Sequence, residues 1–212
     1  MHPINLLLVE KDVNLPVNKS ITSSQFNSYI DNVDTDFWRE LCVGEGELRH
    51  YERGEEFITA GCIGRYIGYI KSGALKYECY SEDGTPYVIG LEFAGQFVCD
   101  FPFSLYRQKS RCSIIATTPC DIYCIPSERI AEQMRHDAKL KEIIEDSTRA
   151  IFDTVYDRMK DIYCKTPQER YDDLMRRDPN LFNLFSLKDI ASVLNITPTH
   201  LSRLRKKQEG VS

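Results

Sequence analysis

"HYERGEEFITAGCIGRYIGYIKSGALKYECYSEDGTPYVIGLEFAGQF", residues 50–97, carries the texture that decides the fold. Short runs rich in Tyr, Ile, Val and Phe alternate with turn signals, among them Arg53-Gly54, Ser72-Gly73, Asp83-Gly84 and Ala94-Gly95. Strands spaced this regularly and punctuated by glycine predict an all-β sandwich or barrel. Residues 77–91, "YECYSEDGTPYVIGL", read as a hairpin, because Asp83-Gly84 supplies residues that accept positive φ in a tight turn. With its flanks, the pattern predicts a β-roll of about eight strands over 47–126.

On the N-terminal side, residues 26–45 read as a short helical stretch anchored by Phe26, Tyr29, Phe37, Trp38 and Leu41. Residues 1–25 lack a clear period and are expected to form an arm. Leu6–Val9 is a short apolar patch followed by Glu10, Lys11 and Asp12, without a basic leader or a cleavage-like site. No run approaches the roughly 18 apolar residues that span a bilayer. A cytoplasmic chain with no membrane partner is expected.

On the C-terminal side the period becomes helical after Pro126. Ser127 is expected to cap a helix over 127–135, and a longer helix follows over 138–163. On it Leu140, Ile144, Ser147, Ile151, Val155, Arg158 and Ile162 fall three or four residues apart, a near-heptad stripe. Either the chain's own β-domain or a second copy must cover that stripe. A two-fold interface is the preferred reading, since so long a helix exposes more than its own domain covers. The polar Ser147 and Arg158 weigh against it.

Thr166-Pro167-Gln168-Glu169 opens a further helix with a capping pattern, and Asp178-Pro179 should end it. Ser186-Leu187-Lys188-Asp189 repeats the pattern. A short apolar-faced helix follows, then Asn195, which tolerates a left-handed turn. Thr197 caps the next helix, "PTHLSRLRKKQ" (198–208), and Pro198 begins it. Leu201 and Leu204 should point inward, while Thr199, His200, Ser202, Arg203 and Lys206 face out. Helix, tight turn, and helix with a basic outer face is the helix-turn-helix plan, whose second helix enters the major groove.

Charge agrees. The chain carries a net −5, yet residues 160–212 hold ten basic against seven acidic side chains. A basic end on an acidic protein indicates an anionic partner there. Arg can fork onto guanine, Thr and His can reach base edges or phosphates, and Lys neutralises phosphate. Arg203 is the expected base contact. Arg205, Lys206 and Lys207 are the expected phosphate contacts, with Ser186, Lys188 and Thr197 near the backbone. Eight scattered cysteines, none in a Cys-x-x-Cys pair, read as small buried thiols rather than a disulfide framework or a metal site. No nucleophile elbow, phosphate loop or metal-binding His pair marks an enzyme.

The order β-roll, long helix, capped helix and helix-turn-helix resembles the Crp/Fnr superfamily of bacterial transcription regulators. Residues 50–97 look like its cyclic-nucleotide-binding-type β-roll. "TPQERYDDL" and "SLKDIASVLNITPTHLSRLRKK" look like its DNA-binding domain in Bacteroidetes-type members. The resemblance implies an α+β protein with a β-roll of the jelly-roll, double-stranded β-helix type. Its parts would be an arm (1–25), a sensor domain (26–135), a dimerisation helix (136–164) and a DNA-binding domain (165–212). It further implies a homodimer on a palindromic DNA operator, with RNA polymerase as a partner, and an unidentified small-molecule effector.

Cyclic-AMP-binding members place Gly-Glu after a "GxF" strand end and Arg-Ser before the next strand. Here those positions align with Cys99-Asp100 and Arg111-Cys112. Three polar contacts are altered, at about 1–3 kcal/mol each, so the effector is expected not to be cyclic AMP. Arg111 reads as a structural ion pair with Asp100. Residues 1–41 contain no cysteine, against an iron–sulfur sensor, and His50 and His136 are not distinctive as haem ligands. Many members continue into a β-hairpin wing, whereas about five residues follow Lys207 here, so wing contacts are expected to be missing or to belong to a longer chain. The alternative reading is a small-molecule-binding or scaffold protein whose helix-turn-helix no longer binds DNA.

Overall fold

The structure, a computed structural model, describes residues 26–208 and Gly210. The arm expected over residues 1–25 lies outside the described residues. Among the described residues eight strands form the roll: β1 (Glu47–Tyr51), β2 (Glu56–Ile58), β3 (Tyr66–Ser72), β4 (Ala74–Tyr80), β5 (Pro86–Phe93), β6 (Phe97–Val98), β7 (Ser113–Ala116) and β8 (Cys120–Pro126). They make two antiparallel sheets, in the orders β1-β8-β3-β6 and β2-β7-β4-β5. The hairpin read at 77–91 is β4–β5, paired from Ala74↔Phe93 to Tyr80↔Pro86, and Gly84 at its tip has φ +82°. Ile70, Leu75, Ile114 and Ile122, drawn from both sheets, share one fully buried cluster. Each such side chain contributes about 1.5–3 kcal/mol relative to exposure.

The stretch at 26–45 is a 3-10 turn (Ser28–Asp31) followed by α1 (Thr35–Glu45), whose N-cap Asp34 accepts from Phe37 N at 2.8 Å. α2 (Ser127–Gln133) departs from expectation at its start. Ser127 is its first residue rather than its cap, and the hydroxyl donates to Gly64 O at 2.7 Å instead. α3 (Ala138–Cys164) is the long helix, capped by Asp137. Then come α4 (Pro167–Arg177), the short α5 (Leu181–Leu184), α6 (Leu187–Val193) and α7 (Pro198–Gln208). Both expected capping boxes form, at Thr166/Glu169 and Ser186/Asp189.

The stripe assigned to a two-fold interface packs inside its own chain instead. Leu140, Ile144 and Ser147 are buried and Ile151 packs against the same core. Trp38, fully buried on α1, donates its Nε1–H to Ser147 Oγ at 3.2 Å. Arg158 donates to Phe26 O and Asn27 Oδ1 and lies over the Phe26 ring. The two polar residues face inward because partners meet them there. Ile162 is half-buried, and of the stripe only Val155 stands in the open. The exposed apolar face of α3 is another: Phe152, Val155, Tyr156, Met159 and Tyr163, with the Phe152 and Tyr156 rings stacked 6.2 Å apart.

Five cysteines (42, 99, 112, 120 and 124) are buried, Cys62 and Cys164 are exposed, and all are free thiols. Burial pushes the Cys42 thiol up to about 12. Among the described residues no cluster of three His, Cys, Asp or Glu is placed to hold a metal, and no helix is long and apolar enough to cross a membrane.

Candidate nucleic-acid interface

α6 and α7 are joined by the predicted turn. Leu194 N bonds to Ile190 O, Ile196 N bonds to Ala191 O, and Asn195 takes φ +52°. That left-handed conformation is costly for most residues and tolerated by Asn. Ile190, Ala191, Leu194, Leu201 and Leu204 bury the inner side of both helices. Leu201 and Leu204 thereby set the rotation of α7. Thr199, His200, Arg203, Lys206 and Lys207 are left exposed, with Ser202 half-buried beside them. Among the described residues Lys188, Arg203, Lys206 and Lys207 have no carboxylate partner, so their charge is open to solvent.

Three of the expected contacts also have partners within the chain, two of them the caps expected from the sequence. Thr197 Oγ1 accepts from His200 N at 3.2 Å and so caps α7. Ser186 Oγ accepts from Asp189 N and donates to Asp189 Oδ2 at 2.6 Å. Arg205 is half-buried, its guanidinium 4.2 Å from the centroid of the Phe182 ring. Arg203, Lys206 and Lys207 are thus the cations that α7 presents outward.

The expected effector residues come together between β6 and β7. Cys99, Asp100 and Cys112 are all buried. Asp100 Oδ2 accepts from Ser110 Oγ at 2.6 Å and from the Arg111 backbone N–H at 3.2 Å. The expected Arg111–Asp100 ion pair does not form: the Arg111 side chain turns outward and its guanidinium lies 4.8 Å over Phe103. Ser110, one residue earlier, meets the carboxylate with a shorter reach. Tyr77 Oη donates to Cys99 O at 3.1 Å.

A contact that sequence reading missed joins the helical domain to the roll. Among the described residues β5 is an edge strand, and α6 lies along it. Ser192 Oγ accepts from Val88 N at 2.8 Å and donates to Val88 O at 3.4 Å. Lys76 on β4 pairs with Asp189 at 3.0 Å and with Glu78 at 2.6 Å. Val88, Leu91 and Phe93 share one apolar cluster with Phe185, Ile190 and Leu194. Nothing in the local pattern of either segment marks the other as its neighbour.

Residues 48–137 match the family model described as the cyclic nucleotide-binding domain. No curated protein matches the chain. Among solved structures, FixK2 from Bradyrhizobium japonicum superposes with a TM-score of 0.68 at 17% identity, over 78% of this chain and 86% of that one. A putative transcriptional regulator of the Crp/Fnr family from Eubacterium rectale gives 0.65 at 16%, over 88% and 89%. CLP, a c-di-GMP-responsive global regulator from Xanthomonas campestris, gives 0.61 at 15%, over 84% and 92%. The shared element order establishes the fold of the Crp/Fnr regulators.

Proposed function

From a cyclic nucleotide-binding-type domain joined to a helix-turn-helix in the Crp/Fnr fold, we propose that this chain is a sequence-specific, DNA-binding transcription regulator. The observation that carries the reading is the exposed basic face of α7, Arg203, Lys206 and Lys207, which has no carboxylate partner among the described residues, on a helix whose rotation is set by buried Leu201 and Leu204. A homodimer would place two such helices on a palindromic duplex. Its face on α3 is the exposed set Phe152, Val155, Tyr156, Met159 and Tyr163. The β-roll takes an effector other than cyclic AMP, because Asp100 is buried and committed to Ser110 while Cys99 and Cys112 pack as thiols. The chain works in the cytoplasm, where an operator would be met.

The test is selection of duplexes from a randomised pool, followed by fluorescence anisotropy across salt. Wild type should enrich a two-fold-symmetric sequence and bind it with a steep salt dependence. Arg203→Ala should lose about 1–3 kcal/mol on that sequence and relax one base position in each half-site. Lys206→Ala should weaken selected and scrambled duplexes alike and flatten the salt slope. No enrichment, together with no salt-dependent binding, would leave the chain a ligand-binding or scaffold protein.

A further inference from the structure

Arg170 stands in the first turn of α4 and belongs to neither the recognition face nor the effector pocket. Its guanidinium makes three hydrogen bonds, all to backbone carbonyls. Nη1 donates to Lys165 O at 2.6 Å and to Ile162 O at 3.2 Å. Nε donates to Leu194 O at 3.1 Å. Ile162 lies in the last turn of α3, Lys165 is the C-cap of α3, and Leu194 is the C-cap of α6.

These carbonyls need a donor from outside their own helices. The last carbonyls of a helix have no partner within it and carry its negative dipole end. The amide four residues after Ile162 is that of Thr166, and it is committed to Glu169 Oε2 in the capping box at 2.8 Å. Past Leu194 the backbone turns left-handed at Asn195, and Ile196 N bonds back to Ala191 O. One planar guanidinium therefore closes the C-terminal ends of two helices at once. Among the described residues no carboxylate lies within ion-pair distance of it, so its charge is held by the two helix ends alone.

α3 carries the proposed dimer face, and Leu194 immediately precedes the turn into α7. We infer that Arg170 is the positioning residue that sets the recognition helix relative to the dimer helix, and hence the spacing of half-sites that the dimer accepts. This inference rests on the DNA-binding reading above. A fork with fixed angles suits the task, whereas a lysine is a point charge on a flexible stem and cannot hold three carbonyls in the same geometry.

The experiment compares wild type, Arg170→Gln and Arg170→Lys as full chains. The probes are the selected duplex, versions with one or two base pairs inserted or removed between half-sites, and a single half-site. Wild type should discriminate sharply among spacings, while Arg170→Gln should narrow that discrimination by about fivefold or more, since the two helices no longer engage from one rigid frame. Half-site affinity and base preference should hold in Arg170→Gln, and Arg170→Lys should fall between the two. Spacing profiles that stay parallel to wild type would overturn the inference. So would equal losses on the half-site and the full duplex, measured in Arg170→Lys should Arg170→Gln not fold.

A readout without DNA separates this inference from the DNA-binding reading. A spin-labelled noncanonical side chain at exposed Gln208 reports the distance between the two copies in a dimer. That distribution should be narrow in wild type and broad in Arg170→Gln. If wild type binds no duplex, the DNA-binding reading fails, and the width of this distribution still decides whether Arg170 positions α7; an unchanged width overturns the inference.

Discussion

Glu92, on β5, is an acidic residue held away from water. Its side chain is buried, and Oε2 accepts from Tyr29 Oη at 2.7 Å and Asn27 Nδ2 at 2.9 Å. Burial pushes its pKa up to about 8, against the opposing pull of Tyr29, Arg158 and Asn27. The folded chain then keeps a proton that the unfolded chain has released. Stability from this site is full below the ordinary carboxylate range and declines as pH climbs toward 8, by at most about 1.4 kcal/mol per pH unit. Glu92→Gln retains an acceptor and cannot ionise. Its urea midpoint, relative to wild type, should rise between about pH 5 and 8, and parallel midpoints would show that Glu92 carries no such penalty. Little of this was legible in the sequence, where "GLEF" reads as a strand with one polar residue. The same holds for Asp100: the pairing with Arg111 was inferred from charge, yet the hydroxyl of Ser110 lies nearer. Asn195 shows the opposite case, for its left-handed turn is a local backbone property and was read correctly.

Among the elements, α3 was legible in its extent and not in its rotation. "IFDTVYDRMKDIY" (151–163) places apolar residues on both sides of the helix, so periodicity alone offers two stripes. The inner one contains Ser147 and Arg158, which composition argues against and which Trp38, Phe26 and Asn27 make acceptable by hydrogen bonding. The two stripes predict opposite outcomes for the same kind of change. Phe152→Asp with Tyr156→Asp should give a folded monomer by sedimentation at micromolar concentration, with an unchanged circular dichroism spectrum. Ile144→Asp should instead unfold the chain, at a cost of about 4 kcal/mol or more, because it places a carboxylate in the core. A wild-type protein that sediments as a monomer would remove the exposed stripe as a dimer face.

At the scale of the whole molecule, the succession of roll, long helix and helix-turn-helix was readable because each part has its own period and its own punctuation. Their docking was not, since Ser192 and Val88 lie 104 residues apart and meet only in three dimensions. That docking has a consequence for solubility. A strand at the border of a sheet is a template on which other chains can add, and natural proteins shield or charge it. Here the shield on β5 is α6, which belongs to the other domain, and the strand behind it carries Val88, Leu91 and Phe93. Tyr87 and Ile89 are already in solvent on the same strand. A chain shortened to end at Cys164 would keep every strand of the roll and the α3 side chains packed against it, and lose the helix that hides its border. It should therefore assemble beyond a dimer where the full chain does not, as static light scattering would show, and the more so as concentration rises. The helix-turn-helix part is in this sense also a chaperone built into the chain, guarding the roll's open margin for as long as the two stay together.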